Sequence, residues 1–548
     1  MRWIVKTSIL FLILAGYPYA QWEYGGIQIS GDNFGADNLT AIPDGNSGIY
    51  VAWRYYPEQF NPDIYLQRLD SAGNELWPHE GIPACIESHG QYIPQLALDD
   101  SGGVFVSWLD LGRDGNYPYL YAQRMSASGE RLWGDLGLPM IINDGYQAFH
   151  RIVPDGQGGA IIGWTGTFPP ETSCVLIQNV NGDGNPMFGL EGMRVTASYM
   201  GGQLLSGLLG ATDGSFITCW SDSRTDGAGP GIYAQKFNAA GEILWDINGV
   251  PLIVNSPSYG GVNYGATAWG GLYCEWVSTG GIHFQWLHAS GNTGFEMGGI
   301  LKIEEPDIGG LRFIADPDSG AMAIWLHDIP YPQQYAAYVA FLDTTRILLH
   351  WYDLPIIASD IGEIFSLTHS TPGEFEFGVD HGGGEMGLRA YKYSLEQGLL
   401  WGDSGMPISC RGCSGYRPLG VTDMIGGSFF IWHITEGYPV KANRVYPDGW
   451  VVKAKDDDVP RPNEVNLLAY PNPFNSNVTI TIGGNLMDAV EIHVFDIGGA
   501  LIKRLPAPGS KVIWDATDQT GAAVKSGIYF VRIHDYKEVK TLKMLFIK

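Results

Sequence analysis

Four short segments of this 548-residue chain have residue types and spacing that suggest chemistry. Cys410-Arg-Gly-Cys413 has the spacing of a local disulfide, a redox pair or half of a zinc site. Gly402-Asp403-Ser404-Gly405 looks like the loop around a nucleophilic serine. Gly382-Gly383-Gly384-Glu385-Met386-Gly387 satisfies the glycine pattern that cradles a dinucleotide pyrophosphate. Asn179-Val180-Asn181-Gly182-Asp183-Gly184 begins like a calcium-binding loop. Context weakens all four. No second Cys pair or His pair completes a zinc site, so Cys410 and Cys413 read as a local disulfide or inert thiols. No helical pattern follows the glycines, and position 12 of the calcium loop is Leu190 rather than a bidentate Glu. A casual calcium contact is the most that remains, and no cofactor or metal site is expected.

A different set of residues suits binding. Aromatic-proline steps occur at Tyr56-Pro57, Tyr117-Pro118, Phe168-Pro169, Tyr331-Pro332 and Tyr438-Pro439, in segments that also carry Arg113, Asp114, Asp222, Arg224, His327, Asp328 and His381. Aromatic rings with neighbouring carboxylates and guanidinium groups suit recognition of a glycan or a peptide. The plainer alternative is that these residues stiffen loops. Tyr56, Tyr117, Phe168, Tyr331 and Tyr438 are the candidate ligand-binding residues.

The elements that must position them repeat. Trp53, Trp108, Trp164, Trp220 and Trp276 are 55, 56, 56 and 56 residues apart, each closing an apolar run after a glycine turn. Weaker copies end at Trp325, near Val379 and at Trp432, making eight. Each copy holds four strand-like pieces. In the second copy these are Pro94 to Leu98, Val104 to Trp108, Tyr119 to Met125, and Arg131-Leu132-Trp133 running into Gly137 to Ile141. Four short antiparallel strands at this period are the pattern of a β-propeller blade, with the tryptophans between blades. Eight blades are expected, with seven as the alternative. Gln21 to Ile29 resembles a fourth strand that precedes any first strand, so it is expected to complete the last blade and close the ring. Gly402 to Gly405 aligns with ordinary blade turns, which disposes of the serine loop. The repeats resemble the loosely defined propeller-like repeats of exported bacterial proteins, a resemblance that implies a scaffold and names no ligand.

Composition agrees with a turn-rich all-β chain: 75 Gly and 32 Pro make about a fifth of it, and only 16 % is charged. The formal net charge of −26, with no basic block, argues against nucleic acid as a partner. Residues 1–20 have the basic, apolar and small-residue regions of a secretory signal peptide, with cleavage expected between Ala20 and Gln21. No later apolar run is long enough for a transmembrane helix. Residues 21–455 hold the repeats, and the charged, proline-bearing stretch 456–463 reads as a linker. Residues from 460 onward carry 10 basic and 8 acidic side chains, so the acidity lies in the repeats.

Residues 464–548 show alternating strands that predict a small immunoglobulin-like β-sandwich. Their motifs are Tyr470-Pro471-Asn472-Pro473-Phe474-Asn475, then Asp496 with Gly498, Trp514-Asp515, and Gly527 with Tyr529. This pattern resembles the type A sorting domain of the type IX secretion system, and is similar to the immunoglobulin-like domain of flagellar hook-capping proteins. The sorting resemblance implies Sec export to the periplasm of a diderm bacterium, then passage through the outer membrane by the type IX machinery. The expected product is a secreted or surface-displayed binding protein whose propeller recognises a glycan or peptide. An extracellular hydrolase or lyase acting on polysaccharide and a structural or adhesive surface protein are the alternatives. The absence of a repeated catalytic constellation favours binding over catalysis.

Overall fold

The computed structural model describes residues 22–547 apart from 23–24, 32–34, 57–60, 87–88, 112–117, 141–144, 168–171, 198–200, 212–213, 225–230, 255–258, 268–269, 279–280, 296–298, 304–307, 317–319, 330–333, 344–347, 359–362, 372, 382–386, 395–396, 403–404, 410–415, 434–438, 450, 452–465, 471–473, 484–489, 498–499, 508–510 and 535–538. The chain divides into two units, Met1–Ala454 and Lys455–Lys548. Every described regular element is a β-strand, and no described helix is long and apolar enough to cross a membrane.

In the first unit the described residues form eight antiparallel sheets of four strands. The seventh has its outer strand in two pieces, Gly398–Leu399 and Met406–Pro407. The second sheet is typical: Gly90–Leu98 innermost, then Val104–Leu111, Pro118–Met125 and Leu138–Pro139. The innermost strands neighbour one another in chain order, and Tyr416–Thr422 of the last sheet lies beside Ala36–Pro43 of the first. The unit is therefore a β-propeller whose innermost strands surround an axis. Closure uses the early segment, since Ile27–Gln28 is the outer strand of the last sheet, with Ile27 opposite Ala442 and Gln28 opposite Lys441.

The repeat motif explains why the sheets stack. Trp53, Trp108, Trp164, Trp220, Trp276, Trp325 and Trp432 are all buried, in apolar clusters that join neighbouring sheets. Trp53 leaves no room at Gly81, where a Cβ would lie 2.9 Å from the indole and φ is +82°. Gly26 under Trp432 repeats this arrangement in the closing strand.

A second tryptophan set latches the first, second, fourth and seventh sheets each to the next. The indole N–H groups of Trp77, Trp133, Trp245 and Trp401 donate to the carbonyls of Ala127, Gly182, Ala289 and Pro447. The Asp of the Asp-x-x-Gly-Gly turn and the Arg of the Ala-Gln-Arg strand form the other half. Asp99 pairs with Arg124 at 3.0 Å, and Arg124 reaches the Gly182 carbonyl at 2.9 Å. The closing seam is built the same way. Trp22 and Arg444 both donate to the carbonyl of Ser71, at 3.2 and 2.6 Å, while Arg444 pairs with Asp423 at 2.6 Å.

The glutamine of that strand is buried and pins the outer turn of its own sheet. Gln123 accepts from the backbone N–H of Arg124 and Trp133 and donates to the Gly134 carbonyl at 2.6 Å. Gln67, Gln178 and Gln235 make the equivalent bonds.

The second unit has two described sheets. One holds Asn466–Tyr470, Val478–Gly483 and Lys511–Trp514, and the other Val490–Asp496, Leu501–Ala507, Gly527–His534 and Val539–Phe546. They enclose a core that includes Phe474, Val478, Ile492, Trp514, Tyr529 and Phe546, an immunoglobulin-like sandwich.

Candidate recognition face and the sorting domain

Of the five candidate aromatic residues, Tyr117, Phe168, Tyr331 and Tyr438 lie outside the described residues, as do Arg113, Asp114, Cys410 and Cys413. Tyr56 is half-buried just past the second strand of the first sheet. Its ring lies 4.9 Å from the Arg54 guanidinium, which also sits 5.0 Å from the ring of Tyr92 on the innermost strand of the second sheet. Arg54 is clamped to Asp37 of the first innermost strand, and the Tyr56 hydroxyl lies 3.3 Å from the same carboxylate. Burial alone would raise Asp37, but bonding to Arg54, with help from Asn38 and Tyr56, holds it below the usual carboxylate range. Tyr56 is thus part of an aromatic-guanidinium stack rather than an isolated platform.

Other charged loop residues are absorbed internally. Arg224 donates to Asp222 at 2.6 Å, with its guanidinium 3.7 Å from the Tyr233 ring, and Asp222 also accepts from Trp220 and Gln203. His381 is buried 3.1 Å from the Tyr391 hydroxyl. His327 and Asp328 fall on the strand Gly320–Ile329. The Asn181 turn is closed by its own side chain, which accepts the N–H groups of Asp183 and Asn185. Cys85, Cys174, Cys219 and Cys274 are buried thiols outside any disulfide. Among the described residues no group of three or more His, Cys, Asp or Glu is arranged to hold a metal ion.

A feature without a repeated sequence signature lines the axis. Each of the eight innermost strands has a register shift near its start. Such bulges bend a strand and re-aim its side chains. In the second and third sheets the bulge residues Ile93 and Phe149 have φ of +56° and +51°. That conformation costs roughly 1–3 kcal/mol for a non-glycine residue. Both are exposed, at 42 % and 55 %, and so is Leu204 on the next innermost strand, at 42 %. Two residues beyond Phe149, Arg151 is open to solvent, and partial desolvation lowers its pKa from the ordinary guanidinium value. Across the axis, Arg312 of the sixth sheet is neutralised by Glu363 of the seventh at 2.6 Å.

Two carboxyl groups also approach each other between the first and second sheets. Burial, reinforced by the charge of Asp110, pushes Asp63 up to about 6, and Asp110 is fully buried. Glu275, buried beside Asn263 in the fifth sheet, is pushed up to about 8 by desolvation.

In the second unit, the motif residues are chiefly architectural. The Trp514 ring meets Tyr529 edge-on at 5.1 Å, and Phe474 lies 5.6 Å from Trp514 and 5.0 Å from Phe546. Asp496 accepts the N–H of Ala500, and Asp515 accepts from Thr517 and from Lys503 at 2.9 Å. Those bonds hold Asp515 down at about 2. Asn475 is exposed, Gly527 opens the strand Gly527–His534, and Tyr470 ends the strand Asn466–Tyr470. Pro471, Asn472, Pro473 and Gly498 lie outside the described residues, as do Ala20 and Gln21. Residues 468–548 match the family of secretion system C-terminal sorting domains.

The C-terminal unit is a type IX sorting domain. Its presence marks the chain for the type IX secretion machinery, and hence for secretion or the cell surface. No curated protein matches the chain significantly. Among solved structures, the chain is similar to PorZ, a surface component of the type IX system of Porphyromonas gingivalis, with 11 % identity over 92 % of this chain and 79 % of that one and a TM-score of 0.29. An ulvan lyase shows 11 % identity over 68 % and 97 %, TM-score 0.40, and a puromycin hydrolase 14 % over 76 % and 61 %, TM-score 0.43.

Proposed function

We propose that this type IX cargo is an extracellular binding protein and that its recognition face is the end of the propeller where the innermost strands begin. The observation that carries the reading is the exposure of Ile93, Phe149 and Leu204 on three neighbouring innermost strands, two of them held in a strained conformation. Exposed apolar side chains on adjacent strands favour a ligand site over packing. The Tyr56–Arg54–Tyr92 stack adds aromatic surface from the first two sheets. In this reading the eight sheets are eight blades of one ring, residues 1–20 are a signal peptide removed after Ala20 during Sec export, and residues 456–463 link ring to sorting domain. The ligand is a peptide or a glycan.

The test is a combined peptide and glycan array probed with the mature chain and with a Tyr56→Ala/Phe149→Ala variant of unchanged circular dichroism. Saturable binding at least tenfold weaker in the variant supports the reading, and equal binding by both places the site elsewhere. The Asp63–Asp110 pair gives the hydrolase reading its footing, because a carboxyl with a raised pKa can act as a general acid. Turnover of an array component that disappears in Asp63→Asn would replace binding with catalysis.

A further inference from the structure

Arg151 is electrostatically incomplete. Among the described residues its guanidinium makes one hydrogen bond, from Nη1 to the His150 carbonyl at 2.9 Å, and no ion pair. Desolvation is the one influence that moves its pKa. A guanidinium carries five N–H donors in a fork that fits a carboxylate. Open to solvent and without an ion pair among the described residues, it can take a carboxylate from a ligand. The setting makes this more pointed, because the chain outside residues 460–548 has a net charge near −28, rich in carboxylates that could have neutralised it. Arg54, Arg68, Arg124, Arg224, Arg312 and Arg444 all have one.

We propose that Arg151 anchors a ligand carboxylate in the channel, and that the ligand is a peptide whose free C-terminal carboxylate follows an apolar residue. This rests on the reading of that end of the propeller as a recognition face. Phe149 on the same strand, and Ile93 and Leu204 on the two neighbouring innermost strands, supply exposed apolar surface. Their chemistry selects between ligand classes: two of the three are aliphatic and suit an apolar side chain, whereas sugar rings are stacked on flat aromatic faces. The bulge at Phe149 serves the same end. It puts two residues, Phe149 and His150, between Ala148 and Arg151 where the facing strand has one, Trp164, which bends the strand next to the anchor. His150, buried within that bulge and held down at about 3 by desolvation, stays neutral and adds no competing positive charge in the physiological range.

The experiment uses the full mature chain and a fluorescent pentapeptide pool ending in Leu, Ile or Phe, prepared with free carboxyl termini and as C-terminal amides. Anisotropy should show the free acids binding at least tenfold more tightly than the amides. Arg151→Gln should abolish that difference without weakening amide binding, and Phe149→Ala should weaken both pools. Equal binding of acids and amides by the unaltered chain overturns the anchor and leaves the recognition face standing. Binding of glycans but of neither peptide pool, lost in Phe149→Ala, overturns the peptide assignment alone. No saturable ligand on peptides or on the glycan array overturns both.

Discussion

Glu275 shows how a single buried group writes itself into the pH dependence of the fold. Its carboxyl is fully buried, takes a hydrogen bond from the Asn263 amide and is pushed up to about 8, whereas in an unfolded chain it titrates near the ordinary value of 4.5. Between those two values the folded state holds a proton that the unfolded state has released. Stability from this site is therefore full below pH 4.5, falls as pH rises toward 8, and is flat beyond. Glu275→Gln keeps the acceptor for Asn263 and removes the titration. The variant should match the parent near pH 4.5 and exceed it above pH 8 by on the order of 5 kcal/mol. Urea denaturation at both pH values checks this, and a constant difference would refute it. His150 works in the opposite sense. Held down at about 3, it stays neutral while the unfolded chain gains a proton below about 6.5, so its contribution is lost as pH falls through that window.

At the scale of the element, the blade is held by polar side chains inside an apolar stack. Gln123 satisfies two backbone donors and one carbonyl in its outer turn, where the fourth strand, Leu138–Pro139, spans only two residues and cannot organise that turn alone. Gln123→Ala leaves those groups buried and unpaired, with an expected cost of about 2–3 kcal/mol. Replacing the exposed Leu132 by Ala should cost under about 0.5 kcal/mol, as surface changes usually do. Equal midpoint shifts for the two variants in urea would show that the glutamine is not the pin. In the sequence, the Ile-Tyr-Ala-Gln-Arg repeat was legible as a half-buried strand. The tasks of its Gln and Arg were not, because the groups they hold in the outer turn and the next sheet are 10 to 59 residues away.

For the whole propeller, the decisive feature is the seam. Trp22 and Arg444 converge on the Ser71 carbonyl, so the first and last sheets are joined by the same latch that joins interior neighbours. Trp22→Ala should lower stability by about 3–5 kcal/mol, the usual range for a buried Trp. Hydrogen exchange should quicken in residues 70–76 and 440–446 while the Arg124–Gly182 latch stays protected. Uniform acceleration around the ring would argue against a local seam. The sequence by itself determined the all-β class, the period, the closing strand and the sorting domain. Each rests on patterns that recur along the chain, such as alternating apolar residues, glycine turns and tryptophans spaced by one blade. The axis was decided only by the tertiary structure. Ile93, Phe149, Leu204 and Arg151 share no motif, and they come together on three neighbouring bulged innermost strands only because successive sheets surround a common axis. A periodic signal reports what every blade needs in order to stack, whereas a binding site is made from the positions at which the blades differ.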